Sequence, residues 1–511
     1  MTTRNYAHLM LFVDELLIKF LEYLHRPRFP TDFADIDAAG LACKAWRDPS
    51  LTVKWREVDL KVLLSALAPL RKPLSIWCFA HAPTDSDIYH FHDVTRRVYT
   101  LKSFVDMHLG HLILDAISKS LSRSTVLLPN LHSLRLGCMS APNVARLTPL
   151  IPSTLRHLDL FNLQAESHII LQTLTSRFSQ LSTIKFGRDA RNLTEEGAVA
   201  ELLWQNADLR NLTIIRRIIT TTIVNVLSQL PCLESLDIGT GDLKDSSENR
   251  TPLPRKPFPQ LLTLTCRLVL DTTVSVLLAD IGAHHSLRTL RLISPYSGSK
   301  KSDLEATVAA ITTHRLLRHL SLRHPTLKTF WASTLLALAS CTMLESLEIS
   351  IPIDSDIITE SSDDAPITDE VVGRLLQHLP HLTELTLRLL DWKSTPLLTF
   401  RTLALAIAHC PRLKRAVLII DATVPIAFTP IPRERRAKRP RILIFSQTVT
   451  GMDDVPIDDP EYVAAVLAQL SPEVEIRMEN GLKGWPRWDQ VARISSKANG
   501  VLDTEVIDRE E

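Results

Sequence analysis

Two hydrophobic patterns of different period divide the chain. In the first, residues 11–24 set Phe12, Leu16, Leu17, Phe20, Leu21 and Leu24 at steps of three, four and one, with Asp14, Glu15, Lys19 and Glu22 largely between them. That spacing gathers one apolar face on an α-helix, and acids in its first turn suit the helix dipole. A second helix is expected over 33–46. A third is expected from Asp48-Pro49, a cap followed by a proline, carrying Leu51, Trp55 and Val58. Three short helices bury too little apolar surface to be robust alone. This hook, residues 11–58, therefore calls for completion by the body behind it or by a partner.

The second pattern is L-x-x-L-x-L with close apolar variants. It begins at Leu131, Leu155, Leu181, Leu209, Leu233, Leu261, Leu287, Leu317, Leu344, Leu382 and Leu413, at intervals of 24 to 38 residues with a mean of 28.2. Alternation inside each match predicts a short strand whose leucines share one face. Amphipathic stretches at 220–230, 272–281, 303–313, 368–379 and 400–409 predict helices between the strands. Each unit is too small to bury its own leucines, so stacking of neighbours makes the core. The expected fold class is α/β: a short N-terminal three-helix hook followed by a solenoid with a parallel sheet on its concave face and helices on its convex face.

The remaining stretches fit around these two patterns. Residues 1–10 read as a tail and 59–128 as an adapter and N-terminal cap, with a helix at 60–70, a strand at 75–79 and a helix leading into a strand over 91–101. The repeat body is expected over 129–494. Insertions at 240–259, 350–366 and 421–440 are rich in Pro, Ser, Asp or Lys/Arg and read as exposed loops. A further repeat helix is expected at 462–470 and a last strand at 474–476, with Trp485 and Trp488 covering the sheet end and a loose tail over 495–511.

Composition narrows the function. Lys+Arg 58 against Asp+Glu 57 gives a net charge of +1, so no global field argues for nucleic acid. The seven scattered cysteines include no C-x-x-C pair, the pattern of reduced, mostly buried thiols in a cytoplasmic or nuclear protein. No secretory leader is expected, and no apolar run reaches the roughly 20 residues of a membrane helix. The sequence holds no nucleophile elbow, Walker loop, H-E-x-x-H or kinase signature, so no enzyme and no cofactor is expected. His90/His92, His108/His111 and His284/His285 lack companions at metal-ligand spacing. The basic run 433–441 reads equally as a nuclear-import signal or a solvated loop tip.

The hook carries a resemblance. Phe12-Val-Asp-Glu-Leu-Leu, Ile18-Lys-Phe-Leu-Glu-Tyr-Leu24, Gly40-Leu-Ala-Cys-Lys-Ala-Trp46 and Leu51-Thr-Val-Lys-Trp55 together resemble an F-box, with Val13 where that family usually has proline and a longer link over 25–32. The body resembles the leucine-rich-repeat family without its regular asparagine: the ninth position of the first five units is Met139, Leu163, Asp189, Arg217 and Gly241. These resemblances imply a non-catalytic substrate receptor that docks on a Skp-type adaptor, and through it a cullin scaffold of a ubiquitin ligase. They assign Phe12, Leu16, Leu17, Phe20, Leu21, Leu24, Cys43, Trp46 and Trp55 to the hook's adaptor-binding face or its supporting core. The alternative is a repeat scaffold outside any ligase, the hook serving only as a solenoid cap.

For the target, outward-facing strand positions matter most. Early repeats are mixed there (Arg135, Asp159, Phe161, Lys185, Asp237), whereas Arg267, Arg291, Arg323 and Arg388 recur later, joined by His319. An arginine column on neighbouring strands would grip an acidic or phosphorylated protein segment. Glu348 and Glu384 share the face as candidate internal partners.

Overall fold

A computed structural model describes residues 15–23, 34–42, 44–72, 77–103, 113, 127–137, 141–148, 151–161, 167–187, 196–215, 220–239, 257–267, 272–282, 286–294, 301–323, 332–353, 367–391, 398–418, 420–421, 442–446 and 475–479. The chain forms two compact units, Met1–Leu233 and Glu234–Glu511. The expectations for the tails, for 462–470, Trp485, Trp488 and the basic run 433–441 lie outside the described residues, as does most of each insertion.

The first unit opens with three helices: α1 over 15–23, α2 Ala34–Ala42 and α3 Lys44–Arg56. The boundaries differ from expectation. α2 ends before Trp46, and α3 opens at Lys44 with Pro49 inside it. Proline costs a helix one N–H bond and crowds the carbonyl four residues back. Here that carbonyl belongs to Ala45, in the first turn, where the backbone can tilt aside. Pro49 and Ser50 are buried, and a Cβ on Gly40 would come within 3.2 Å of the Ser50 Cβ. The glycine that weakens α2 by about 1 kcal/mol thus lets α2 lie close on α3.

Val58 is not helical. It is the centre of β1, Glu57–Asp59, which starts the unit's parallel sheet. Asp59 then caps α4, Leu60–Leu67, by accepting from the Lys61 N–H at 2.8 Å. A two-residue antiparallel pair, β2 Leu70–Arg71 with β3 Cys78–Phe79, leads to α5, Asp85–Thr95, opened by a capping box of Thr84 and Asp87. The sheet continues as β4 Thr100–Ser103, β5 Ser133–Gly137, β6 His157–Phe161, β7 Thr183–Phe186 and β8 Asn211–Ile214, all parallel in sequence order after β1. Helices α6 Ala141–Leu147, α7 Ser167–Thr175, α8 Glu196–Gln205 and α9 Thr221–Gln229 alternate with the strands.

The second unit repeats the plan. Its parallel sheet runs β9 Ser235–Ile238, β10 Thr263–Cys266, β11 Thr289–Ile293, β12 His319–Arg323, β13 Ser346–Ile353, β14 Glu384–Asp391, β16 Arg415–Leu418, β18 Ile442–Ser446 and β19 Glu475–Glu479. A small pair, β15 Leu398–Thr399 with β17 Ile420–Asp421, lies apart from it. Helices α10 Thr272–Gly282, α11 Lys301–Thr312, α13 Asp369–Gln377 and α14 Phe400–His409 fall where the periodicity puts them, and a shorter helix, α12 Ala332–Ala337, adds to the expected set. The expected insertion at 350 begins later: Leu347, Ile349 and Ile351 keep alternating into the core, so β13 runs on to Ile353 beside an equally long β14.

In both units the strand starts two residues after the first leucine of the motif, in all eleven matches. The motif leucines are buried on one side of the sheet, and the residues between them emerge on the open side. Each such leucine contributes about 1.5–3 kcal/mol by leaving water, and only stacking makes that burial possible.

The missing asparagine ladder has a partial substitute three residues before the first motif leucine. Asn206 accepts from the Leu181 N–H at 2.8 Å and donates to the Phe178 carbonyl at 3.2 Å, both in the preceding repeat. His314 sits 3.0 Å from the Leu278 carbonyl, and the thiols of Cys341 and Cys410 reach carbonyls of Ile311 (3.9 Å) and Leu379 (3.6 Å). These side chains satisfy backbone groups that stacking takes from water. Burial pushes the thiols up, Cys410 to about 12 and Cys341 to about 11, as it does Cys266 to about 12. These three are buried, as expected, whereas Cys78 and Cys232 are half-buried.

Candidate functional site

Two surfaces hold the predicted residues, one in each unit. On the hook, the single apolar face of α1 divides in two. Leu21 is fully buried in a small core with Ile36 and Val53, packed by Leu17, Ile18 and Ala39. Leu16, Phe20 and Tyr23, at the i, i+4, i+7 spacing of one helical stripe, stay 52%, 49% and 66% exposed. Phe20 and Trp46 meet in a T-shaped pair, centroids 6.5 Å apart and planes at 67°. Leu41, on α2, is 88% exposed.

Of the residues assigned to the hook, Leu17 and Leu21 are therefore supports, while Leu16 and Phe20, with half-buried Trp46, line a surface. Trp55 is half-buried near the Lys54 ammonium at 5.9 Å. Phe12, Leu24 and Cys43 lie outside the described residues. Tyr23 and Leu41 were absent from the expected set. Their signal was the helical spacing from Leu16 for Tyr23, and for Leu41 nothing beyond its hydrophobicity.

Polar contacts fasten the hook to the sheet of its own unit. Lys54 pairs with Asp37 at 2.7 Å across α2 and α3, and Glu22 of α1 pairs with Arg56 at the end of α3. The Arg56 guanidinium lies 5.9 Å from the Tyr99 ring, which stacks on His132 at 5.6 Å. Arg97 reaches Asp48 at 3.0 Å, the Thr52 hydroxyl at 3.2 Å and Asp93 at 3.3 Å, joining α3 to α5.

The open face of the first unit carries a charged row, Asp59, Lys102, Arg135, Asp159 and Lys185, on consecutive sheet strands. Arg135 lies 3.8 Å from Asp159, and Lys102 pairs with Glu57. Desolvation raises the Asp159 carboxyl, opposed by the nearby Lys185 and Arg135 charges. Beyond this row the Phe161 ring lies over Gly137, where a Cβ would overlap it, and a Cβ on Gly187 would come within 2.6 Å of the Phe161 Cβ.

In the second unit the arginines do not form the expected single column. Arg267, Arg323 and Arg388 share one row of the register, separated by Ile293 and Ser350, whereas Arg291 stands two residues earlier on its strand. Members of that row are therefore two strands apart, about 10 Å, and not about 4.8 Å. Arg267 and Arg323 each pair with a described carboxylate. Arg267 meets Asp237 through Nε at 3.2 Å and Nη2 at 3.1 Å, and Arg323 meets Glu348 through Nε at 2.7 Å and Nη2 at 2.6 Å. The Ser321 hydroxyl also donates to Glu348 at 2.7 Å. Arg388 is half-buried. The side chains of Arg291 and His319 are exposed and have no hydrogen-bond or ion-pair partner among the described residues.

Among the described residues, no cluster of three or more His, Cys, Asp or Glu is placed to hold a metal ion, and no helix is long and apolar enough to cross a membrane. No family model matches the chain, and no curated protein does. A crystal structure of the Rad7 and Elc1 complex in yeast contains a chain similar in fold, with a TM-score of 0.38 and 16% identity, over 78% of this chain and 94% of that one. At that level the likeness assigns no partner to this chain.

Proposed function

We propose that the chain is a non-catalytic substrate-recognition subunit whose N-terminal hook docks on a Skp-type adaptor of a cullin ubiquitin ligase, while the repeats hold a target protein. The observation that supports this most is the division of α1. One side closes the hook's own small core, and the other leaves Leu16, Phe20 and Tyr23 in water beside Trp46. Large apolar side chains gathered on one helix stripe are what a partner helix buries. The F-box resemblance names that partner as a Skp-type adaptor, and the ubiquitin chemistry then belongs to other subunits.

The second reading, a scaffold whose hook only caps the repeats, draws support from Arg97 and from the direct passage of α3 into β1. Copurification separates the two. Under the receptor reading the full chain retains a Skp-type adaptor through size exclusion, and a Leu16→Glu, Phe20→Glu double variant of unchanged fold does not. Failure of the unmodified chain to retain the adaptor removes the receptor reading and leaves the scaffold.

A further inference from the structure

On β11, β12 and β10 with the residue that follows it, the open face holds Arg267, Arg291, Arg323 and His319 and not one carboxylate. Among the described residues the acids beside this patch are Asp237 on β9 and Glu348 on β13, and each is spent on the outer arginine beside it. Both pairs use the Nε–Nη2 edge, so each outer guanidinium is held in place while its Nη1 group makes no bond among the described residues.

Between them Arg291 is alone. Its register neighbours are Thr265 and Ser321, which carry hydroxyls and no charge, and its diagonal neighbours are Thr263, Arg267, His319 and Arg323. Thr265 makes no hydrogen bond that would occupy it among the described residues. Cations crowded together repel, and a fold with no use for them would be expected to place an acid at one of these positions. A pinned guanidinium, moreover, loses little freedom when it grips an anion.

We infer that this patch binds an anionic group, phosphoryl or carboxylate, carried by an extended segment of a protein partner. Arg291 is the central donor, and Arg267, Arg323 and His319 surround it. The inference rests on the receptor reading only in taking that partner to be the ligase target; the patch itself is independent of the hook. It differs from an arginine column running through Arg388, because the acid-free area ends at β12.

The test uses the full chain and three degenerate peptide pools, fluorescein-labelled, that share one fixed central residue: phosphoserine, glutamate or serine. Anisotropy titrations should show at least tenfold tighter binding of the phosphoserine pool, the glutamate pool or both than of the serine pool. Arg291→Glu should weaken that binding at least tenfold. Arg412→Glu, the same charge change on an exposed turn off the sheet, should change it less than twofold. The pool preferred tells phosphoryl from carboxylate. Anionic pools that bind no better than serine, or an Arg291→Glu protein that binds like the unmodified chain, overturn the inference. Adaptor retention is measured on the same preparations: its loss in the unmodified chain with peptide binding intact sinks the receptor reading and leaves the patch standing.

Discussion

Phe20 and Leu21 are neighbours in sequence with opposite roles, and substituting each should separate binding from stability. A phenylalanine buries about 150–250 Å² when fully covered. Phe20 is 49% exposed in the free chain, which leaves about 100 Å² for a partner to cover. At about 25 cal/mol per Å² this is worth about 2.5 kcal/mol, of which Phe20→Ala should forfeit about 2 kcal/mol, about 30-fold in Kd. In the free chain the same change loses mainly the edge contact to Trp46, worth about 1 kcal/mol. Leu21 is fully buried against Ile36 and Val53, so Leu21→Ala should cost about 2–5 kcal/mol. A hook this small has little to spare, and it should open while the repeats stay folded. Isothermal titration with a Skp-type adaptor reads the first effect; far-UV circular dichroism and limited proteolysis within residues 1–58 read the second. Phe20→Ala binding within twofold of the unmodified chain, with the hook folded, would refute the assignment of that stripe to the adaptor.

Three further outcomes test the repeat architecture. Gly137→Ala should lower Tm, because the new methyl displaces the Phe161 ring at a cost of about 1–3 kcal/mol, and adding Phe161→Ala should recover part of it in a double-mutant cycle followed by calorimetry. Asn206→Ala should cost about 1–3 kcal/mol in urea unfolding by orphaning the buried Leu181 N–H and Phe178 carbonyl. The Asp159 carboxyl is raised from its ordinary 3.8, so ionising it penalises the folded state above its folded pKa, and the penalty vanishes below 3.8. Asp159→Asn should therefore raise Tm at pH 7 and leave it unchanged at pH 3, and a fall in Tm at pH 7 would mean that Arg135 and Lys185 outweigh desolvation.

Much of the fold was legible because leucines in period two, repeated at a near-constant interval, admit few other arrangements. What escaped did so for local reasons. Trp55-x-x-Val58-x-Leu60 and Val98-x-x-Leu101-x-Ser103 carry the repeat spacing into the first 128 residues with other side chains in leucine positions, so β1 and β4 passed for hook and adapter. Cys341 and Cys410 are scattered in sequence number, yet relative to the motif they take the same position as Asn206 and His314. Recurrence alone groups the arginines without regard to phase. Arg267, Arg323 and Arg388 fall six residues after their motif leucine and Arg291 four, and a two-residue offset moves a side chain by about 7 Å along the strand. An apolar count gives α1 a single face because it cannot distinguish a face that meets its own core from one that meets a partner.

The way α3 enters the sheet decides how the hook can be tested. Its last residue, Arg56, is followed at once by β1, which pairs with β4 from Glu57↔Thr100 to Asp59↔Lys102. Arg97 ties its middle to α5, and Arg56 itself links Glu22 of α1 to the Tyr99 ring. α3 is thus both the third helix of the hook and the helix preceding the first strand of the sheet. Deleting residues 11–58 would remove most of β1, uncover the edge of β4 and invite self-association. Binding lost on such a deletion would say as much about the sheet as about the adaptor. Leu16 and Phe20, on the side of α1 facing away from the Leu21 core, are free of that confusion, and point substitutions there carry the functional question without disturbing the splice.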